Sequence, residues 1–269
     1  MPITQRALAA IALGLGLLLP AARPTQAAEA VDVALVLAVD ISYSMDAVEQ
    51  RLQRDGYIEA LNSPEVLTAI AAGPNHRIAI TYVEWAGSND QTVLVPWHVI
   101  DGPQSARAVT DELASKPYRR AARTSIAGGL AFSATLFDSL GGVASRRVID
   151  VSGDGPNNAG PPVTEVRAGV LARGIVINGL PIIWRRNAPN MMDIDNLADY
   201  YETCVIGGDA AFVVPVKSRD TFSTATRLKL LQEVAGTHLA PHPIAVAASD
   251  TDCLIGEKLW QQHFGTFRN

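Results

Sequence analysis

Residues 33–39 limit the fold of this chain more than any other segment, because they form an uninterrupted apolar run. Such a run is typical of a strand that is buried on both faces of a sheet. Residues 148–151 and 176–183 are also predicted strands, and segments with helical spacing lie between the three. Strands that alternate with helices indicate a mostly parallel sheet with helices on both faces. The sequence therefore predicts a doubly wound α/β fold.

Three more predicted strands extend the sheet to six strands. Residues 77–85 and 91–100 are rich in β-branched and aromatic residues, and a Gly-Ser-Asn-Asp turn cluster separates them. We therefore expect an antiparallel hairpin, which places one antiparallel strand at an edge of the sheet. Residues 212–216 form the last predicted strand. Helices are expected at residues 46–61, 64–71, 105–115, 125–140, 163–172, 197–201 and 222–234.

The N-terminus has the layout of a cleavable secretory signal. Arg6 precedes an apolar run at residues 7–19, and the small residues Ala27 and Ala28 follow it. The run is shorter than the roughly 17–25 residues of a membrane-spanning helix, so residues 1–28 are expected to be a signal peptide. No later apolar stretch reaches spanning length without charges or glycines. We therefore expect a periplasmic or secreted protein without stable membrane insertion.

Composition and charge narrow the function classes. Hydrophobic residues make up 48% of the chain and charged residues 18%, a balance that allows a substantial core and argues against disorder. The formal net charge is −5, and no basic stripe stands out, so a nucleic-acid partner is not expected. In the oxidising compartment that export implies, a disulfide between Cys204 and Cys253 is favoured over two buried thiols.

Oxygen-bearing side chains follow two of the predicted strands. Asp40, Ser42 and Ser44 alternate directly after the first strand, and Asp154 follows the fourth strand between two glycines. Thr124 is a further candidate, because it lies at the start of a predicted helix. In open α/β sheets, ligands bind beyond the carboxyl ends of the strands, so we expect these side chains to form one site.

Only hard oxygen ligands are present in this set, without histidine or thiol. They suit Mg²⁺ or Mn²⁺, whereas Zn²⁺ prefers nitrogen or sulfur. With so few carboxylates, one coordination position stays open for a carboxylate from outside. Each motif also has an ordinary alternative, since Asp, Ser and Thr are preferred helix N-caps and Gly-Asp-Gly is a common turn. The order of the motifs, each after its proper element, favours the metal site.

Together these motifs resemble the von Willebrand factor A domain, or integrin inserted-type domain, with its metal-ion-dependent adhesion site. The resemblance covers residues 31–234 and places the domain at residues 29–235, followed by a C-terminal extension at residues 236–269. More narrowly, the chain is similar to an exported bacterial branch in which the sequence Cys-Val-Ile-Gly-Gly, here at residues 204–208, recurs. The resemblance implies a metal held by Asp40, Ser42, Ser44, Thr124 and Asp154.

The chain departs from the family pattern in two places. Ile41 and Tyr43 stand where the family often has small residues, and Tyr43 is expected at the rim of the site. The late motif reads Ser-Gly-Asp-Gly, where Thr-Asp-Gly or Ser-Asp-Gly is more usual. The extra glycine allows two adjacent positions as the end of that strand, and Asp154 is the one candidate carboxylate after it.

The resemblance implies a binding module that grips an acidic residue of a protein or other ligand through the bound cation. Signatures of enzymes are missing, since the sequence has neither a Gly-x-Ser-x-Gly elbow nor a Gly-rich phosphate loop with lysine. A metal-assisted hydrolase of the cell envelope is the alternative, because a bound metal can activate water. The sequence identifies no general base for it.

Two further groups of residues have less specific signals. Arg119, Arg120 and Arg123 flank the candidate threonine, and they either steer an acidic partner or belong to a solvated loop. Trp260, Phe264 and Phe267 have a spacing that suits a terminal helix packed in the core.

Overall fold

One mixed sheet forms the centre of the molecule. The computed structural model describes residues 30–184, 191–236 and 251–265 of the chain. The five strands of the sheet have the order β3-β2-β1-β4-β5. Their bounds are Ala30–Asp40 (β1), Ile78–Trp85 (β2), Gln91–Ile100 (β3), Val143–Gly153 (β4) and Val176–Pro181 (β5). All neighbours pair in parallel except β2 and β3, so the predicted hairpin and its antiparallel edge strand are confirmed.

Eight α-helices are found in the described part of the chain. A π-helical turn, Tyr201–Val205, continues the sixth helix. Local sequence sets where several of them begin: Asp46 caps the first helix through its side chain, and Ser63 caps the second, with a proline directly after it. The bounds are Ala47–Leu61 (α1), Pro64–Ala72 (α2), Pro103–Ser115 (α3), Ile126–Leu136 (α4), Val163–Ala172 (α5), Leu197–Tyr200 (α6), Phe222–Ala235 (α7) and Ile255–Phe264 (α8).

The core has two layers, one on each face of the sheet. Side chains of β1 alternate between them, so Leu35 and Leu37 enter the layer formed with α1, α2, α3 and α7. Val36 and Ala38 enter the layer formed with α4, α5 and α6. Because β1 is central and buried on both faces, its residues 33–39 are apolar without interruption. The predicted α/β class with helices on both faces is confirmed.

The prediction of six strands is wrong. Residues 212–216 make only two isolated parallel bridges beyond β5, between Gly179 and Val213 and between Ile182 and Val216. Gly179 N donates to Phe212 O, Val214 N donates to Gly179 O, and the next bond runs from Val216 N to Pro181 O. Proline has no amide hydrogen, so Pro181 cannot donate the bond that would join the two bridges. The ladder is interrupted there, and the sheet ends at β5.

A disulfide joins the sixth helix region to the C-terminal helix. Cys204 and Cys253 are bonded, with their Cα atoms 5.5 Å apart, as the sequence favours. None of the helices in residues 30–184, 191–236 and 251–265 is long and apolar enough to cross a membrane. The predicted signal peptide, at residues 1–28, lies outside the described residues.

Candidate metal centre

The carboxyl ends of β1 and β4 bring the two predicted acidic residues together. Asp40 is the last residue of β1, and Asp154 follows the last residue of β4, its direct neighbour in the sheet. Asp40 is fully buried, and its Oδ1 accepts a hydrogen bond of 2.7 Å from the amide of Ser42. This hydrogen bond ties the turn after β1 to the Asp40 carboxylate, and it holds that side chain in place at the end of the strand.

Hydroxyl groups connect the first motif to the late aspartate. The Oγ atoms of Ser42 and Ser44 are 2.7 Å apart, at hydrogen-bond distance. Ser44 Oγ donates to Asp154 Oδ1 at 2.6 Å. Residues 110 positions apart in the sequence thus share one chain of polar contacts. Neither serine nor Asp40 caps α1, because Asp46 has that role, which removes the capping alternative for this motif.

Thr124 lies beside the same group. It lines one cavity with Ser42, Ser44 and Asp154, and it is buried. Its amide donates to Asn158 Oδ1 at 3.0 Å, and its carbonyl accepts from the amide of Asn158 at 2.8 Å. The N-cap of α4 is the next residue, Ser125, so the helix start does not need the threonine side chain. Four of the five predicted ligands therefore line one cavity, and the fifth, Asp40, is buried and accepts from the amide of Ser42, one of the four.

The electrostatics of the pair suit a cation. Burial raises the pKa of Asp40 well above its ordinary value, and the nearby carboxylate of Asp154 raises it further. Within the described residues, the buried Oδ2 atom of Asp40 has no hydrogen-bond partner. A buried carboxylate oxygen without a donor is costly, and a divalent ion beside it would satisfy it and screen the repulsion. The residues present therefore fit a hard metal ion.

The donor set consists of two carboxylates and hydroxyls. No group of three or more His, Cys, Asp or Glu side chains that fits a metal ion is found in the parts of the chain that the structure describes. The remaining donors must then come from Ser42, Ser44, Thr124, water or an incoming ligand. An oxygen-only set of this kind suits a hard divalent cation.

Gly153 explains the unusual late motif. A Cβ atom at this position would lie 2.9 Å from the Tyr201 hydroxyl and 3.0 Å from Asp40 Oδ2. Both atoms are buried, and neither has a hydrogen-bond partner among the described residues. The strand β4 therefore passes between Tyr201 and Asp40 with room for glycine alone, and Asp154 becomes the first residue beyond the strand.

The mouth of the site is a cavity of about 210 Å³. Tyr43 lies at its rim and is 61% exposed, as the sequence predicts. Trp260 and Phe264 of α8 also line this cavity. Their predicted role in the core is wrong: α8 packs at the edge of the domain, where Phe264 is 36% exposed. Phe267 lies outside the residues that the structure describes.

The three arginines near Thr124 have different roles. Arg119 is committed to the fold, since it pairs with Glu84 at 3.3 Å and with Asp90 at 2.7 Å. Arg120 donates to the Tyr43 carbonyl at 2.5 Å. The guanidinium of Arg123 lies 3.4 Å above the Trp260 ring and also donates to Asn158. Two of the three positive charges thus lie at the rim of the site.

Sequence reasoning missed three polar residues that organise the site. Asn157 and Asn158 bind the start of α4 through Ala127 N and Thr124 N, and the buried hydroxyl of Tyr201 faces the region of Asp40. The two asparagines belong to a segment whose Gly, Asn and Pro content indicates only a loop. Tyr201 reads as one more apolar residue of a short helix, so the sequence contains no signal for its place.

Comparison with known proteins decides the family. Residues 30–238 match the family model described as "Protein of unknown function (DUF1194)". The chain belongs to this family. A search of curated proteins gave no match.

Solved structures that share this fold include a von Willebrand factor type A protein. The chain is 18% identical to proximal thread matrix protein 1 from the mussel byssus with a zinc-occupied adhesion-site motif, at a TM-score of 0.53, covering 76% of this chain and 48% of that one. The von Willebrand factor type A protein from Catenulispora acidiphila is 14% identical at a TM-score of 0.51, and the match covers 77% of this chain and 43% of that one. The pilus adhesin SpaC from Lactobacillus rhamnosus GG is 12% identical at a TM-score of 0.55, and the match covers 76% of this chain and 30% of that one.

This DUF1194 chain therefore has the von Willebrand factor A fold that its motifs resemble. It spans less than half of the length of each of the three proteins just named. At these identities the likeness establishes the fold, and the ligands and partners of those proteins are not transferred with it.

Proposed function

We propose that this protein is an exported binding module that uses a divalent cation to grip a carboxylate of its partner. The metal is held by Asp40, Ser42, Ser44, Thr124 and Asp154, within a domain at residues 29–235. One observation carries the proposal: the buried Asp40 has an oxygen without a donor in the described residues, next to the chain of contacts from Ser42 through Ser44 to Asp154. A cation is the simplest group that satisfies this arrangement.

The proposed cation is Mg²⁺ or Mn²⁺. All candidate donors are oxygen atoms, and Mg²⁺ requires about six of them in octahedral geometry. A related fold carries zinc in its adhesion-site motif, which supports a divalent metal at this place. The preference for Mg²⁺ or Mn²⁺ here rests on the absence of histidine and cysteine from the cavity lining within the described residues.

The partner is proposed to present an acidic residue. Two carboxylates leave a divalent ion without surplus negative charge, and its coordination shell keeps a position for an incoming hard anion. Arg120 and Arg123 at the rim add to the positive field. A metal-assisted hydrolase has less support, because the fold relatives reported above include a thread matrix protein and a pilus adhesin.

Calorimetry tests the metal assignment. Mg²⁺ and Mn²⁺ titrations of the mature protein are expected to show one site that Asp40→Ala abolishes, because the buried carboxylate is its main anionic ligand. Asp55→Ala is the matched control, since Asp55 is exposed on α1 and should bind metal as the wild type does. Unchanged affinity in both Asp40→Ala and Asp154→Ala would refute the assignment.

A pull-down from periplasmic extract tests the partner. The mature protein serves as bait, once with Mg²⁺ and once with EDTA. A partner that is captured only with Mg²⁺, and is lost with Ser42→Ala combined with Ser44→Ala, supports the proposal. Capture of the same partner at equal strength in both buffers would show that binding uses another face.

A further inference from the structure

The C-terminal helix α8 is fixed against the loop that carries Asp154. Gly256, near its N-terminus, is buried, and a Cβ atom there would lie 2.0 Å from the Asn157 carbonyl oxygen. Glu257 Oε1 accepts a hydrogen bond of 2.7 Å from Asn157 Nδ2. Just before the helix, Cys253 is bonded to the buried Cys204. Backbone packing, a hydrogen bond and a covalent bond thus hold α8 at the edge of the metal cavity.

The face that α8 turns to the cavity is aromatic. Trp260 and Phe264 stack with ring centroids 4.3 Å apart, and both line the cavity. Arg123 covers one side of Trp260 through a cation–π contact. Tyr43, also a lining residue, stands at the rim. An apolar wall therefore stands beside a centre that attracts anions.

The size of the cavity limits what can enter. Its volume of about 210 Å³ is smaller than the roughly 300–1,000 Å³ of pockets for drug-sized ligands. A carboxylate at the metal would extend past the aromatic wall, and any apolar group attached to it within a few bonds would contact Trp260 or Phe264. A purely polar extension would gain nothing from that wall.

We propose that α8 makes this site selective for a carboxylate that carries an adjacent aromatic or aliphatic group. The inference rests on the proposed function, because the metal centre binds the carboxylate, while Trp260 and Phe264 contact its neighbour. Selectivity therefore comes from a helix that contributes none of the proposed metal ligands. The C-terminal segment is part of the binding surface.

The test compares matched acids on the Mg²⁺-saturated, oxidised mature protein by calorimetry. The first pair is 3-phenylpropionate and propionate, and the second is the blocked dipeptides acetyl-Asp-Phe-amide and acetyl-Asp-Ala-amide. We expect the aromatic member of at least one pair to bind roughly tenfold or more tightly, because burial of a phenyl ring is strongly favourable. The pair with the larger ratio shows whether a free acid or an acidic side chain is the better ligand.

Variants assign the selectivity to α8. Trp260→Ala is expected to bring the ratio of affinities for the aromatic and the non-aromatic acid close to one, while the Mg²⁺ affinity stays unchanged. Phe264→Ala, at the partly exposed end of the helix, should also reduce this ratio of affinities. Leu228→Ala is the control, because Leu228 is 39% exposed on α7 and is not a lining residue of the cavity. Its ratio should equal that of the wild type.

Three results would overturn the proposal. The first is equal affinity for the members of both pairs in the wild type. The second is a ratio that survives both Trp260→Ala and Phe264→Ala. The third is tighter binding of every acid to Trp260→Ala, which would mean that α8 obstructs the site. In each of these cases, Mg²⁺ binding measured by titration would still support the metal centre. A wild-type protein that binds no metal would instead refute the proposed function itself.

Discussion

Asp40 dominates the electrostatics of the metal-free site at the scale of single residues. Its carboxylate is buried and lies close to Asp154, and both the burial and the neighbouring charge raise its pKa. Asp40→Asn removes the charge but keeps an oxygen that accepts from Ser42 N. In EDTA, we expect the variant to be more stable than the wild type by on the order of 1 kcal/mol, because a poorly compensated buried charge is removed.

The order should reverse in saturating Mg²⁺. A ligand at about 100 times its Kd stabilises the folded state by about 2.7 kcal/mol, and only the wild type gains this. Urea unfolding of both proteins, in EDTA and in Mg²⁺, measures whether their order of stability reverses. If Asp40→Asn were less stable than the wild type in EDTA as well, the carboxylate would be satisfied by the protein alone.

Gly153 gives a second prediction at this scale. In Gly153→Ala, the new methyl group would meet Asp40 Oδ2 and the Tyr201 hydroxyl at about 3 Å. We expect a loss of roughly 1–3 kcal/mol in stability, as for other overpacked sites, together with weaker Mg²⁺ binding. Gly155→Ala is the matched control, because a Cβ there has no atom within 4 Å among the described residues. Equal metal affinity in the two variants would contradict the close packing inferred for Gly153.

For helices and strands, the sequence predicts correctly those features that depend on the local pattern of residues. The apolar residues 33–39 of β1 and the buried residues 148–153 of β4 follow from residue types and their order, with Asp40 as the last residue of β1 and Asp154 directly after β4. The strand expected at residues 212–216 fails for a reason located elsewhere, since Pro181 on the neighbouring strand interrupts the ladder. The place of α8 depends on the Asn157–Glu257 contact, across 100 residues of sequence, so its spacing alone suggests a core helix.

A buried ionic group joins β4 to α7 and gives a pH prediction. Lys229 Nζ lies 2.8 Å from Asp150 Oδ1 and also pairs with Glu233, and all three side chains are fully buried. Burial, followed by the charge of Glu233, raises the pKa of Asp150 to about 7 from an ordinary 3.8. Between these pH values the folded state binds more protons than the unfolded state, so this contribution to stability falls as pH rises.

Asp150→Asn should remove that slope. The free energy of unfolding, measured in urea from pH 4 to pH 8 in EDTA, is expected to fall less with pH in the variant than in the wild type. Titrating groups away from this buried trio contribute equally to both curves and cancel in the difference, while any change at Lys229 or Glu233 belongs to the same buried group. Asp111→Asn, on the exposed side of α3, should keep the wild-type slope. Parallel curves for wild type and Asp150→Asn would contradict the raised pKa of Asp150.

At the scale of the whole molecule, one covalent bond joins the C-terminal helix to the rest of the fold. Cys204 and Cys253 close a loop across 49 positions, while the proposed metal ligands all lie in residues 40–154. Stability and ligand selectivity should therefore depend on the disulfide, whereas metal affinity should not. This separation follows from topology, because α8 contacts the Asp154 loop from outside the sheet.

Replacing both cysteines tests this separation. In the chain-entropy model, a loop of this length stabilises the folded state by roughly 4 kcal/mol, and measured values are often lower. We expect Cys204→Ser combined with Cys253→Ser to lower Tm by several degrees and to leave Mg²⁺ affinity unchanged. The preference for apolar carboxylates should weaken, because α8 loses its covalent tether. Dithiothreitol should act on the wild type alone, which makes the double variant its own control. A double variant with wild-type Tm and wild-type selectivity would show that the noncovalent contacts of Gly256 and Glu257 are enough to hold the helix.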